Sequence, residues 1–383
     1  MKKNKIYYWS PFISKIATIK AVLNSNIALN KFSNRQIDAY VINSFGEFSE
    51  NSYRYRGSYL KFKLLVKNNY IKFFSDKGFL KSRLSWILIS LITVFPLIRL
   101  LKKEKPDYLI IHLLTFLPLL INRFFNLETK IILRISGLPK LNLFRMYLWK
   151  LCIPKIHSIT CPTLATKKFI LSLNLINPNK VYFLPDPVLE IQNIINKKTK
   201  YKETFGDYIL AAGRLTKQKN FQFLIKFFYK ISKEHPNLKL VIAGEGEKKN
   251  DLQNLTKKYN INQKVNFIGH TNDLYSLMKE SFCFISTSLW EDPGFVIIEA
   301  VVNRANIISS NCKNGPEEIL LDGEGGYLYS SNDMNDLLKK FYKFNKDYGL
   351  YPKILYKKKL LAMKNIKIYT KFNHYKIFSK ILI

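Results

Sequence analysis

The chain is poor in cysteine and poor in acid. Four Cys are spread over 383 residues with no Cys-x-x-Cys pair, which excludes a disulfide scaffold and a zinc ribbon. Fifteen Gly and fourteen Pro are too few for a collagen-like or linker-dominated chain. The basic start, Met1 to Lys5, is followed by a break at Ser10-Pro11 and by no small-residue cleavage site. That pattern predicts a chain made without a signal peptide and kept in a reducing cytoplasm. Acids are scarce: 27 Asp+Glu against 62 Lys+Arg leave a formal charge of +35. The basic residues are scattered rather than gathered in one arm. No zinc-finger, basic-zipper or aromatic-interleaved RNA-binding pattern accompanies them, so no nucleic-acid partner is expected. Two readings of the charge stand. One is attraction to an anionic membrane surface, where each Lys contributes ~1 kcal/mol; the other is background in a chain rich in Lys, Ile and Asn throughout.

What is present is a globular composition, 47% hydrophobic and 23% charged, over a length that suggests two domains. One uncharged, largely apolar stretch, Leu84 to Ile98, is fifteen residues and carries Pro96. It falls short of the roughly 20 residues of a bilayer span. It reads either as a buried helix leading into a strand or as a helix that dips into a membrane surface, flanked by Lys81, Arg83 and Arg99.

Short apolar runs alternate with longer helical patterns. Lys5–Trp9, Asp38–Ile42, Asp107–Ile111, Lys130–Ile135, His157–Cys161 and Val181–Leu184 read as strands of one parallel sheet. A polar stretch over 187–207 reads as a linker. The alternation then restarts with strands at Tyr208–Ala212, Leu238–Ala243, Val265–Ile268, Phe282–Ser286 and Asn306–Ser310, each followed by a helical pattern. The prediction is an α/β chain of two doubly wound, Rossmann-like domains facing a cleft, at 1–186 and 208–345, with a helical segment at 346–383 packing back on the first. In such sheets ligands sit outside the carboxyl ends of the strands.

Three features of the second half point to a phosphorylated ligand. Gly213-Arg214-Leu215-Thr216-Lys217-Gln218-Lys219 lies at a strand-to-helix turn, where Arg214 and Lys219 offer two cations to one anion. Glu291-Asp292-Pro293-Gly294-Phe295-Val296-Ile297-Ile298-Glu299 places two carboxylates eight residues apart across a loop-to-helix junction. The free N–H groups of that helix start favour an anion. Either Glu can accept from sugar hydroxyls or stand as a solvated acid, but Glu299 sits in an apolar run where an unpartnered carboxylate is costly. Asn314-Gly315-Pro316-Glu317-Glu318 is a further turn into a helix, lining the same site or simply capped by Asn314. The five His share no ligand spacing, the Cys sit in apolar runs, and neither a Ser-His-Asp arrangement nor a Walker loop is visible.

The ordered set Gly-Arg-Leu…Lys, Val-Ile-Ala-Gly-Glu-Gly, Val-Asn-Phe-Ile-Gly, Glu-x7-Glu and Gly-Pro-Glu-Glu-Ile-Leu, over about Asp207 to Leu328, resembles the retaining, nucleotide-sugar-dependent glycosyltransferases of family 4, the group 1 glycosyltransferases, whose fold is GT-B. The resemblance implies transfer of a hexosyl group from a nucleotide-diphosphate sugar to a hydroxyl; the charge and the Leu84–Ile98 run add the expectation of a glycan or lipid-linked acceptor, as in bacterial surface polysaccharide or lipopolysaccharide assembly, and of a cytoplasmic protein at the inner face of the plasma membrane. A noncatalytic nucleotide-sugar binder of the same fold, or a nucleic-acid binder, is the alternative. Arg214 and Lys219 would hold the diphosphate, Glu291 the donor sugar and Glu299 the ribose. Gly294, Phe295 and Val296 would offer N–H groups, Gly213 belongs to the donor loop, and Ile268 and Gly269 would flank the base. No cofactor and no metal is expected, since two cations and a helix start can offset the charge. The first half departs from the family. The loop after its first strand, Ser10-Pro11-Phe12-Ile13-Ser14-Lys15, has no Gly. Ser136-Gly137 stands where many members carry a His, and His112 lies one strand earlier. These three, His112, Ser136 and Gly137, are the acceptor-side expectation, with a buried structural role the other reading of His112.

Overall fold

The computed structural model describes residues 3–13, 17–48, 59–67, 70–74, 79–125, 127–139, 141–189 and 201–382. Residues 190–200 of the expected linker, and Ser14 and Lys15 of the first loop, lie outside the described residues. The chain divides into two units, Met1–Val188 with Tyr369–Ile383, and Leu189–Ile368.

Among the described residues, the first unit is built on a seven-stranded sheet in the order β3-β2-β1-β4-β5-β6-β7. The strands are β1 (Asn4–Trp9), β2 (Ile37–Asn43), β3 (Phe62–Leu64), β4 (Tyr108–Ile111), β5 (Lys130–Arg134), β6 (Ser158–Cys161) and β7 (Val181–Phe183), all parallel. Its helices are α1 (Ala17–Phe32), α2 (Phe79–Glu104), α3 (Phe116–Phe124), α4 (Leu143–Cys152) and α5 (Leu164–Ser172). Strands covered on both faces need apolar residues at every position rather than at alternate ones, and all four residues of β4 are buried. Along β1, successive side chains point to opposite faces. Tyr7 and Trp9 join a core with Leu97 of α2, Leu117 of α3 and Trp149 of α4. Ile6 and Tyr8 join the opposite core with Val22 and Leu23 of α1.

The second unit carries a six-stranded parallel sheet in the order β10-β9-β8-β11-β12-β13, again among the described residues. Its strands are β8 (Tyr208–Ala212), β9 (Lys239–Ala243), β10 (Val265–Gly269), β11 (Cys283–Ser286), β12 (Ile307–Asn311) and β13 (Tyr327–Ser330). They are accompanied by α6 (Tyr201–Phe205), α7 (Phe221–Ile231), α8 (Lys249–Lys258), α9 (Leu274–Glu280), α10 (Phe295–Val302), α11 (Pro316–Ile319), α12 (Met334–Leu350) and α13 (Pro352–Asn365). The last helix, α14 (Lys371–Ile381), belongs to the first unit. There its buried His374 ties three segments together. The Pro185 carbonyl can only accept, so Nδ1–H donates to it at 2.7 Å. Nε2 therefore accepts from Ser25 Oγ at 2.7 Å, and Ser25 in turn bonds the Tyr8 hydroxyl at 2.8 Å. Burial holds the His374 pKa down at about 3.

Three sequence expectations change. The segment 346–383 does not act as one piece: α12 and α13 stay with the second unit because Phe341, Phe344 and Leu355 are buried in its core. Within 187–207, residues 201–205 form α6 rather than linker, held where the Lys202 N–H donates to Glu280 at 3.0 Å. Finally, the apolar run 84–98 is buried along one face only, and the helix that holds it is longer than the run. The run is the middle of the 26-residue α2, with Pro96 inside the helix. Ser85, Ile89, Thr93, Leu97 and Leu101, spaced four apart, face inward, while Leu84, Ile87, Leu88, Leu91 and Phe95 are exposed. Among the described residues, Lys81–Glu104 is the one helix long and apolar enough to cross a membrane, and its most apolar window is only 28% buried.

Candidate functional site

The residues singled out in the second half gather at the carboxyl ends of neighbouring strands. Gly213 follows β8, Ile268 and Gly269 close β10, and Glu291 follows β11. Sheet order sets β9 between β10 and β8, and β11 on the other side of β8, so segments distant in sequence become adjacent loops. Close backbone approach makes this possible. A Cβ at Gly244, after β9, would stand 1.9 Å from the Gly213 carbonyl oxygen. One at Gly315, after β12, would stand 1.8 Å from the Pro293 carbonyl oxygen. Only glycine permits either contact.

Hydrogen bonds then lace the loops. Leu289 N–H donates to the Gln218 carbonyl at 2.8 Å, and Gln218 Nε2 donates to the Trp290 carbonyl at 2.9 Å. Thr287 Oγ1 donates to the Lys219 carbonyl at 2.9 Å. Glu291 N–H donates to the Lys313 carbonyl at 3.1 Å, and Ser310 Oγ to the Ser288 carbonyl at 2.6 Å. The site is therefore a single hydrogen-bonded rim built from the ends of β8, β11 and β12.

Its charges are arranged unequally. Lys219 Nζ is ion-paired to Glu291 Oε1, with the two side chains only 15% and 6% exposed. Ser288 Oγ donates to the same carboxylate oxygen at 2.6 Å. The sequence assigns Lys219 and Glu291 separate partners; in the structure they are each other's partner. Arg214, by contrast, is exposed and makes no ion pair among the described residues. The two cations of this loop therefore differ: the Arg214 guanidinium is exposed, and the Lys219 ammonium is already held in place. Cys312 also feels this pair: burial foremost, then Glu291, push its thiol up to about 11, which leaves it without thiolate character at neutral pH.

The start of α10 supplies the remaining polar groups. Gly294 is its N-cap, in the left-handed region, and its carbonyl accepts from Ile297 and Ile298 at 3.0 and 3.3 Å. Phe295 and Val296 hold the first two helical positions, whose N–H groups have no intrahelical acceptor. Glu299 is half-buried one turn into the helix. Gly269 is in the left-handed region and its carbonyl accepts from Gly244 N–H at 2.8 Å, which joins the end of β10 to the same rim.

Several contributors escaped the sequence reading. Thr287 and Ser288 lie in the run Ser286-Thr287-Ser288, three small hydroxyls closing an otherwise apolar strand, and that contrast was the available signal. Asn314 is not the cap of α11: Gly315 is, without a side-chain bond. Asn314 is instead left-handed, and its Nδ2 is buried without a hydrogen-bond partner, as is Thr216 Oγ1. Buried polar atoms without partners are uncommon, and both belong to the rim loops.

In the first unit, His112 lies just past β4, and Ser136 and Gly137 just past the neighbouring β5. His112 is buried, with Nδ1 3.1 Å from Ser10 Oγ and Nε2 unpartnered. Burial first, and the Arg134 charge second, hold its pKa well below the ordinary imidazole value. The imidazole is neutral and available as a hydrogen-bonding group rather than as a cation. Arg134 itself forms a buried ion pair with Asp186 that the sequence did not reveal.

Two parallel-sheet units, one with a glycine-shaped rim of cations and helix N–H groups at its strand ends, define an α/β protein of the doubly wound class. Comparison with known proteins narrows this. Residues 191–367 match the model of the glycosyl transferases group 1 family. An uncharacterized glycosyltransferase of Methanocaldococcus jannaschii is 31% identical over 291 residues, covering 70% of this chain and 71% of that protein. The N-acetylgalactosamine-N,N'-diacetylbacillosaminyl-diphospho-undecaprenol 4-alpha-N-acetylgalactosaminyltransferase of Campylobacter jejuni is 27% identical, covering 57% of this chain and 61% of that enzyme. The crystal structure of Anabaena HepE in complex with UDP and glucose superposes with a TM-score of 0.74 at 12% identity, covering 99% of both chains. The chain belongs to the group 1 glycosyltransferase family, has the GT-B fold, and is a glycosyltransferase.

Proposed function

We propose that the protein is a retaining enzyme that moves a hexosyl group from a nucleoside-diphosphate sugar to a hydroxyl of a lipid-linked glycan, in the assembly of a surface polysaccharide such as lipopolysaccharide. The observation that carries this is the rim itself: Arg214, the Lys219–Glu291 pair and the start of α10 stand on neighbouring strand-end loops, two of which are tied by the Gln218–Trp290 hydrogen bond and the Lys219–Glu291–Ser288 cluster.

In this reading Arg214 and Lys219 take the diphosphate, together with the N–H groups of Phe295 and Val296. Glu299 accepts from the ribose hydroxyls, and Ile268 and Gly269 flank the base. As the bond between the anomeric carbon and the diphosphate breaks, negative charge grows on the leaving oxygens, and preorganised cations and N–H groups offset it without rearranging. Glu291, aimed by Lys219 and Ser288, contacts donor-sugar hydroxyls. The acceptor oxygen bonds to the anomeric carbon on the face that the diphosphate leaves. The acceptor proton passes to a departing diphosphate oxygen, which removes the need for a separate protein base and accounts for retention. The charge on the diphosphate is met by these groups, so the reading calls for no metal ion.

The acceptor reading is supported by the Campylobacter jejuni relative, whose name places its reaction on a diphospho-undecaprenol-linked sugar. The outward apolar face of α2, flanked by Lys81, Arg83, Arg99, Lys102 and Lys103, supports residence on an anionic membrane surface, on the cytoplasmic side. The test is transfer from UDP-, GDP- and ADP-sugars to a diphospho-undecaprenol-linked glycan, followed by product mass and anomeric configuration. A product of inverted configuration, or none with any donor, contradicts the proposal.

A further inference from the structure

In the first unit, α2, α3 and α4, with the loops before α3 and α4, line an open pocket of about 450 Å³ that shares no residue with the donor rim. That size falls among small-molecule pockets, roughly 300–1,000 Å³. Its wall is mostly apolar: Trp86 comes from α2, Leu120 from α3, and Leu148 and Trp149 from α4. Among the described residues of the lining, Arg145 is the one cation and none is a carboxylate. A polar metabolite would find almost nothing there to orient it, and an apolar cavity gains little from water.

The surroundings continue the same chemistry. On α4, beside Arg145, Leu143, Phe144 and Tyr147 are 93%, 68% and 65% exposed. On α2, the exposed face described above continues from the wall residue Trp86. A second guanidinium is close by: Arg123 Nε, at the end of α3, is buried without a hydrogen-bond partner, and its charge is felt at Cys152, which lines the cavity. The occupant suited to an apolar chamber with a cationic edge and an apolar approach is a hydrocarbon chain that ends in an anion.

The loops that line the pocket are also those of the acceptor side. Leu114 stands two residues after His112, and Pro139 two after Gly137. Leu114 has φ 49°, a conformation that costs a bulky residue energy and that concentrates at functional sites. Trp9 Nε1 donates to its carbonyl at 3.3 Å and holds it there.

We propose that this cavity seats the proximal hydrocarbon of a long-chain lipid phosphate, the carrier of the acceptor glycan, with its phosphate held toward Arg145. The chain would then act as a positioning element, presenting the head group to the loops of His112, Ser136 and Gly137. The inference rests on the lipid-linked acceptor reading above and names the place where that lipid is gripped.

Calorimetric titration of the full chain with dodecyl phosphate, kept below micelle formation, tests it, with dodecanol and inorganic phosphate as comparison probes. The expected result is saturable binding of dodecyl phosphate at least fivefold tighter than dodecanol, and no binding of inorganic phosphate in the same range. Leu120→Trp and Leu148→Trp, which fill the chamber from two different helices, should each weaken dodecyl phosphate tenfold or more. Arg145→Gln should weaken dodecyl phosphate and leave dodecanol unchanged. Thermal stabilisation of each variant by nucleoside diphosphates, measured in parallel, reports an intact fold and judges the donor reading separately. Dodecyl phosphate that binds no tighter than dodecanol, or that binds both filled variants as it binds the wild type, overturns the inference even where donor binding is intact. Tight binding of inorganic phosphate alone also overturns it, since the site would then read the anion and not the chain.

Discussion

Lys219→Met should destabilise the second unit, although Lys219 is a surface-type residue in a loop. Its ammonium is the ion-pair partner of Glu291, whose side chain is only 6% exposed. With the ammonium gone, Glu291 keeps Ser288 as its side-chain donor at 2.6 Å but is left as a buried charge. Breaking a buried pair from one side costs about 3–5 kcal/mol. Because Lys219 retains some contact with water, the low end applies, ~3 kcal/mol. In a unit of this size each kcal/mol moves Tm by about 2–4 °C, so a fall of roughly 6–12 °C is expected. Glu291→Gln keeps an oxygen for Ser288 but strands the ammonium, and it should cost less. The double variant should be more stable than the sum of the two losses by at least ~1 kcal/mol, the mark of direct coupling. Thermal unfolding of the four proteins measures the cycle. Glu291→Gln should also bind nucleoside diphosphates more tightly, since Lys219 no longer answers to a carboxylate, while transfer slows. Single losses below ~0.5 kcal/mol that simply add would refute the pair as a structural unit of the site.

Other outcomes follow from the same geometry. Gly315→Ala drives a Cβ to within 1.8 Å of the Pro293 carbonyl oxygen, so it should separate the β12 and β11 loops, lower Tm and weaken nucleoside diphosphate binding. Gly323→Ala serves as the comparison in the same melting and binding assays, since its left-handed backbone is strained but nothing lies within 4 Å of the added carbon. Arg214→Ala should leave Tm unchanged, because the side chain is exposed and unpaired among the described residues, yet lower kcat by offsetting less of the leaving-group charge; steady-state kinetics at saturating donor decide it. Glu47 is buried and its pKa is pushed up to about 7, chiefly by burial. A raised carboxylate pKa contributes stability at pH values below about 4.5 that is lost as pH rises through about 7. Wild-type stability in chemical unfolding curves should therefore fall between about pH 5 and pH 8, by ~3 kcal/mol at most, and Glu47→Gln, which keeps an acceptor for only one of the Ser44 and Phe45 N–H groups, should lose that pH dependence.

Much of the fold is legible in the sequence because parallel strands announce themselves as short apolar runs closed by a polar or glycine-containing turn. Residues 208–212 and 239–243 are of this kind. β3, only Phe62–Leu64, is too short to stand out, and β13 was hidden within a turn motif at Gly325-Gly326-Tyr327-Leu328. The donor loops were legible as types of residue in order, but their pairing was not. Lys219 and Glu291 meet across 72 positions, and only the adjacency of β8 and β11 in the sheet brings them together. Composition likewise could not divide the two faces of α2. Leu97 and Phe95 are both apolar, yet one is fully buried and the other is 78% exposed. Which face a helix buries depends on its neighbours, and those are set by the order of the strands.

The central claim is that the donor is held by the rim at the strand ends of the second unit. Amide hydrogen exchange with and without nucleoside diphosphates, UDP first, tests it directly. The account predicts slowed exchange at 213–220, 268–270 and the first turn of α10, with Phe295 and Val296 among the protected amides, and loss of that protection in Glu299→Ala. Protection that spares these segments, or that survives unchanged in Glu299→Ala and Arg214→Ala, would contradict it.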